Sequence, residues 1–310
     1  MTAGFVDNWV FLSLFAAAAW GLSCVIDVGF VSAGVYRVPS DGVMVAGLFC
    51  LLPLFVMAQF ANALDLDFLL VGVGLLSGLA FLLHIYLYFK ALFFLRDAVN
   101  AEIFNALSVL FVPTFAFIFL GERLSGLHYA AIAIAVAGII VLIGFQVARL
   151  SWQVVACLLA SVIAASLMMV MQAWVLQRTN YASAVCMFSF SAFATSLIMV
   201  GVQKERRHRV AKMFRQFVPL FVAVQLLEVL AVLASQRATK SGPSVSFVAL
   251  LESTLPLFVL VFSWVSALAV KYWLPLRFIQ LRSTLKLQTV ATPSKVLSML
   301  LIVVAIVMVQ

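Results

Sequence analysis

The 310 residues are 66% hydrophobic and only 10% charged, whereas soluble domains carry roughly a quarter of their residues as Asp, Glu, Lys or Arg. These few charges cannot cover the surface of a fold of this length in water. The composition therefore excludes a soluble protein and predicts one surrounded mostly by lipid. The net charge of +8 sits mainly in two short stretches between apolar segments, which favours membrane-flanking loops over a nucleic-acid-binding face.

Ten apolar segments are long enough to cross a hydrocarbon core of roughly 30 Å as α-helices that rise about 1.5 Å per residue. They cover residues 9–30, 42–61, 67–89, 98–120, 127–147, 152–176, 181–202, 217–236, 244–268 and 293–309. The purely apolar part of the last segment is only 296–309, so whether it spans fully stays open. The sequence predicts an all-α integral membrane protein with about ten transmembrane helices.

A basic stretch precedes the last predicted span. Residues 271–290 mix Arg277, Arg282 and Lys286 with large apolar and aromatic residues. A helix in the headgroup layer and a plain basic loop are both consistent with this composition.

An internal repeat relates the fourth predicted span to the ninth. One constant shift places Phe104 on Phe247, Leu107 on Leu250 and Pro113 on Pro256. Each half then holds five spans, an odd number, so the second half must enter the membrane from the opposite side. We therefore predict two inverted five-helix repeats, 1–150 and 151–310, the second with a basic insert at about 271–292.

Two short motifs resemble a known family. The run WGLS from Trp20 and the run LGERLS from Leu120, after a proline-bearing helix, are similar to patterns of EamA-type members of the drug/metabolite transporter superfamily. The resemblance is good over about 9–147 and partial over 152–264, where SWV from Ser263 replaces Leu-Gly-Glu. It implies ten helices in two inverted repeats and transport of small metabolites or drugs.

Ionisable side chains within the predicted spans need a reason, because each costs a few kcal/mol there. Glu252 lies four residues before Pro256 in the ninth span. It is either a substrate or proton site that faces a cavity, or a neutral glutamate that joins helices. Glu228 in the eighth span and His84 in the third lie at nearly the same level of the repeat, so they either exchange protons or hold helices together.

The fourth predicted span offers Glu102 and Asn105, which share a helix face because they lie three residues apart. Glu102 either lines a vestibule or caps the helix. Pro113 and Pro256 are predicted to bend their helices. Further candidate cavity residues are Trp20, Gln172, Ser166 and Asp27.

Motifs for other chemistry are missing from the sequence. It contains no GxxxxGK[ST], GxGxxG, HExxH or GxSxG motif, so neither ATP-driven transport nor an enzyme is expected, and no cofactor is predicted. The cysteines lack the spacing of a zinc site or a disulfide framework and are interpreted as packing residues; they are Cys24, Cys50, Cys157 and Cys186.

These features favour a secondary transporter that moves a small metabolite or drug-like molecule by alternating access, with proton coupling as a further expectation. The expected location is the cell (inner) membrane. One alternative is a non-transporting membrane receptor or assembly subunit on the same fold, and another is an intramembrane enzyme that acts on lipid. The substrate, the direction of transport and the oligomeric state stay open.

Two arguments disagree on orientation. Residues 204–215 carry six Lys or Arg against one Glu, and residues 271–295 carry five. Both stretches lie opposite the termini in a ten-span topology, so the positive-inside rule makes that side cytoplasmic. The family resemblance implies instead that the termini are cytoplasmic.

Overall fold

The computed structural model describes residues 8–61, 67–95, 98–147, 150–202, 204–273, 301–305 and 307–308. Regular structure in these ranges is entirely helical. The helices in chain order are α1 (Trp9–Ser32), α2 (Pro39–Phe49), α3 (Leu51–Ala58), α4 (Phe68–Leu95), α5 (Ala98–Asn105), α6 (Ser108–Leu120), α7 (Gly126–Val147), α8 (Trp152–Arg178), α9 (Tyr181–Val202), α10 (Lys204–Ser241), α11 (Val245–Glu252) and α12 (Leu255–Trp273).

Eight segments of the described chain are long and apolar enough to cross a membrane. They are Trp9–Ser32, Pro39–Ala58, Phe68–Leu95, Val99–Leu120, Trp152–Arg178, Tyr181–Val202, Phe221–Ser241 and Val245–Ser266. A shorter apolar helix covers Gly126–Val141. The chain is therefore a multi-pass, all-helical membrane protein, as its composition predicts.

Two predicted segments bear on the count of spans. The fifth predicted span coincides with α7, whereas most of the tenth lies outside the described residues. The basic insert predicted at about 271–292 also lies outside them, apart from the last turn of α12. Ten spans therefore stay a prediction.

Helix α10 corrects the predicted loop between the seventh and eighth spans. Residues 204–215 form the first turns of a continuous 38-residue helix. Lys, Arg and Glu are good helix formers, so their charge marks the membrane boundary without ending the helix. At about 1.5 Å per residue α10 is roughly 57 Å long, and its basic turns extend beyond a core of about 30 Å.

The fourth and ninth spans are each interrupted. Helix α5 ends at Asn105 and α6 begins at Ser108, while α11 ends at Glu252 and α12 begins at Leu255. At the second interruption the Ser253 hydroxyl donates to the Leu250 carbonyl (2.6 Å) and the Thr254 hydroxyl to the Leu251 carbonyl (2.7 Å). Local bonds of this kind satisfy carbonyls that water cannot reach.

The two halves of the chain pack against each other along most of their length. Helix α4 lies along α8 and α1 along α10; α6 packs on α8, and α1 on α11 and α12; α2 and α3 both pack on α9. Gly21 allows the approach of α1 to α12, because a Cβ atom there would lie 2.9 Å from the Phe258 Cβ.

Polar contacts join loops at each end of the bundle. At one end the Arg209 Nε lies 3.3 Å from the Asp41 Oδ1, which links the start of α2 to the basic turns of α10. At the other end the Lys240 ammonium donates to the carbonyls of Leu176 and Thr179, which links the end of α10 to the end of α8.

Candidate functional site

A cavity of about 120 Å³ lies between α1, α4, α5, α8, α10 and the interruption that separates α11 from α12. Six of the seven predicted site residues line it: Trp20, His84, Glu102, Asn105, Glu228 and Glu252. The remaining lining residues are Ser23, Cys24, Asp27, Phe81, Ile85, Tyr88, Phe89, Ala106, Ser108, Ala165, Met168, Met169, Val232 and Leu255. The structure thus brings residues from both halves of the sequence to one place.

Glu102 is buried in the last turn of α5. Its Oε1 accepts a hydrogen bond from the Cys24 thiol (2.9 Å), and its Oε2 accepts one from the Asn105 side-chain amide (2.9 Å). These partners place it in the cavity wall.

Asp27 and Glu228 form a carboxyl pair across the two halves. Asp27 is buried on α1 and lies within electrostatic range of Glu228 on α10. The Tyr36 hydroxyl, 3.5 Å from the Asp27 Oδ1, donates a hydrogen bond. Burial raises the pKa of Tyr36 well above its usual value, so this hydroxyl stays protonated and remains a donor.

Glu252 is the last residue of α11 and is only 8% exposed. Its carboxyl group lies near Ser235 on α10. Its Oε1 receives no hydrogen bond from any residue that the structure describes. One oxygen of this buried carboxyl group, on a residue that lines the cavity, therefore lacks a donor.

His84 does not pair with Glu228, although both line the cavity. Its Nδ1 lies 2.8 Å from the Ser161 hydroxyl and 3.1 Å from the Ser161 carbonyl oxygen, on α8. Glu228 lies instead near Asp27 and Gln225. The proposed direct proton exchange between His84 and Glu228 therefore lacks a direct contact in this conformation.

Three other predicted residues do not line this cavity: Gln172, Pro256 and Pro113. Gln172 is buried on α8, donates a hydrogen bond to the Ser77 hydroxyl and lines a smaller adjoining cavity that Trp20 also borders. Pro256 is the second residue of α12, directly after an interruption. Pro113 lies inside α6, six residues after the other interruption at Ala106 and Leu107.

Sequence reasoning missed two lining residues. Cys24 was interpreted as a packing residue, but its thiol donates to Glu102. Tyr88 received no role, yet it lies between His84 and Phe89 in the cavity wall. Position alone does not distinguish either from the many apolar neighbours. Asp27, in contrast, was predicted as a cavity residue, because an ionisable side chain inside an apolar span is costly.

Comparison with known proteins supports the fold alone. A solved structure described as "Crystal structure of protein" is similar over 96% of this chain and 96% of its own, with 16% sequence identity and a TM-score of 0.61. No family model and no curated protein matches the chain. The similarity to EamA-type transporters therefore remains a resemblance carried by the residues quoted above.

Proposed function

We propose that the chain is a secondary transporter, similar to EamA-type members of the drug/metabolite transporter superfamily, that moves a small molecule across the cell (inner) membrane by alternating access. The observation that carries this proposal is a cavity inside the bundle that holds four carboxyl groups in a mostly apolar wall and is lined by side chains from both halves of the chain. Such a cavity between halves is where secondary transporters bind their substrates.

The packing pattern supports two repeats. Suppose that each of the first five predicted spans is exchanged with the span five places later. The contact of α4 (the third span) with α8 (the sixth) then becomes the contact of α10 (the eighth) with α1 (the first). The contact of α6 with α8 likewise becomes that of α1 with α11 and α12. Helices α2 and α3 form the second span, which packs on α9, the seventh, so this contact exchanges with itself. A two-fold relation between five-helix halves explains all three.

The two interruptions support the same proposal. They occur in the fourth and ninth spans, which the sequence repeat superposes, and residues beside both line the cavity. Discontinuous helices at a midplane site are typical of secondary transporters with inverted repeats.

Flux measurements on purified protein in liposomes test the proposal. We expect counterflow of at least one labelled metabolite among amino acids, sugars, nucleosides and amines, saturable with concentration and absent from protein-free liposomes. The assay is run with and without a pH gradient. Absence of saturable flux under both conditions, with stable co-purification of a partner protein, would favour the receptor or assembly subunit instead.

Glu252→Gln tests proton coupling. Glutamine keeps the size of the side chain but cannot release a proton, so we expect uptake driven by a pH gradient to be lost. The matched control is Glu205→Gln, because Glu205 is exposed at the start of α10, away from the cavity. A pH dependence that survives in the Glu252→Gln variant removes this residue from the coupling role.

A further inference from the structure

The cavity collects carboxyl groups without a lysine or arginine among its described lining residues. Four of its lining residues carry carboxyl groups: Asp27, Glu102, Glu228 and Glu252. None of the described residues that line it is Lys or Arg. A carboxylate surrounded by low-dielectric protein is costly unless a positive charge or hydrogen-bond donors accompany it. A cationic ligand would supply that missing charge.

Three polar atoms of described residues in the cavity wall are unmatched: two carboxyl or amide oxygens that can accept, and the Tyr88 hydroxyl, which can donate or accept. The Glu252 Oε1 and the Asn105 Oδ1 both receive no hydrogen bond within the described structure. The Glu102 carboxylate, in contrast, already has two donors. A ligand that satisfies the two vacant acceptors must therefore bring N–H or O–H donors of its own.

The walls favour an organic cation over a metal ion. Four aromatic residues line the cavity: Trp20, Phe81, Tyr88 and Phe89. Aromatic faces attract ammonium groups and bury hydrocarbon. Among the described residues no three His, Cys, Asp or Glu side chains are arranged to hold a metal ion.

We propose that the cavity binds a protonated organic amine, with its ammonium group donating to Glu252 and Asn105 and its apolar part against the aromatic wall. This assignment names a substrate class for the proposed transporter and so rests on that function.

Binding of four benzyl compounds to the detergent-solubilised full chain tests the assignment, measured by isothermal titration near neutral pH. Benzylammonium offers charge and N–H donors, benzyltrimethylammonium charge alone, benzyl alcohol a donor without charge, and benzoate the opposite charge. We expect benzylammonium to bind about tenfold or more tightly than each of the others, and benzoate not to bind measurably. Equal binding of benzylammonium and benzyl alcohol, preference for benzoate, or no binding of benzylammonium would overturn the assignment.

A variant locates the ammonium group. Glu252→Gln is expected to weaken benzylammonium binding about tenfold or more, while the control Glu205→Gln binds as the unaltered chain does. Undiminished binding by a folded Glu252→Gln protein would overturn the placement. If that variant does not fold, Asn105→Leu replaces it, with the same expected direction, because it removes the other vacant acceptor.

The liposome assay separates failure of this assignment from failure of transport. Benzylammonium that binds but shows no counterflow leaves the amine site standing and contradicts the transporter. Saturable flux of a neutral or anionic metabolite, without amine binding, leaves the transporter standing and contradicts the amine site.

Discussion

Asp41 shows how a single carboxyl group is held outside the cavity. It is fully buried at the start of α2, and its Oδ2 accepts from the backbone N–H groups of Arg37 (3.0 Å) and Val38 (3.3 Å). Its Oδ1 pairs with Arg209, whose side chain is 27% exposed. One residue thus fixes both the entry into α2 and the position of the basic turns of α10.

Arg209→Ala is expected to destabilise the protein, because it leaves the buried Asp41 carboxylate with backbone donors only. We expect a loss of about 1–2 kcal/mol, at the lower end for a charged hydrogen bond since Arg209 is partly exposed. Unfolding in detergent, followed by tryptophan fluorescence, measures it. The control is Lys212→Ala, an exposed residue on the same helix, with an expected change below about 0.5 kcal/mol. Equal losses in both variants would show that the ion pair contributes nothing specific.

Residue contacts at the site could be predicted only in part. The cost of a charge in lipid marked Glu102, Glu228 and Glu252, and all three line the cavity. Their partners could not be predicted, because Cys24 meets Glu102 from 78 positions away in the sequence. Such pairs depend on how helices rotate against each other, and the uniformly apolar spans give little indication of that rotation.

At the scale of helices, the thickness of the hydrocarbon core made the spans predictable. It gave no indication of where the helices are interrupted. A hydrocarbon core of about 30 Å fixes the length of each apolar segment, so predicted and observed spans largely overlap. Prolines were the one available signal for a break. Pro256 directly follows an interruption, but α6 continues through Pro113. Hydroxyl groups of Ser253 and Thr254, which bond back to carbonyls, complete the break.

Pro256→Ala tests whether the second interruption matters for transport. The proline has no N–H group, so the Glu252 carbonyl lacks its helical donor, and alanine restores that donor. Because alanine favours a helix over proline by about 3 kcal/mol, we expect α11 and α12 to join and flux in liposomes to fall about tenfold or more.

Pro113→Ala is the matched control for that experiment. Pro113 lies within a continuous helix away from the interruption, so alanine there should change flux by less than about twofold. Equal loss of flux in the two variants would show that the effect comes from general perturbation of a proline, and would contradict a role for the interruption.

For the whole molecule, contacts at the two ends of the bundle constrain the topology. The ion pair of Asp41 with Arg209 places the loop between the first and second spans on the same side as the start of α10. The Lys240 bonds place the loop between the sixth and seventh spans with the end of α10. Ten alternating spans require both groupings. The loop charges predict that the end of the bundle with Arg209 faces the cytoplasm. The family resemblance predicts instead that the end with the termini does.

Reporters at two positions test both the number of spans and the orientation. In a ten-span protein a reporter fused after Gln310 lies on the side of the termini, whereas one inserted near Arg207 lies on the opposite side. An insertion at Gly34, in the exposed turn after α1, should report the same side as Arg207 because the Asp41 contact holds these segments together. Accessibility to a membrane-impermeant label measures each position. A Gln310 reporter on the side of Arg207 would contradict ten spans. If Arg207 and Gly34 face the cytoplasm, the eleven Lys and Arg residues among 204–215 and 271–295 determine the orientation.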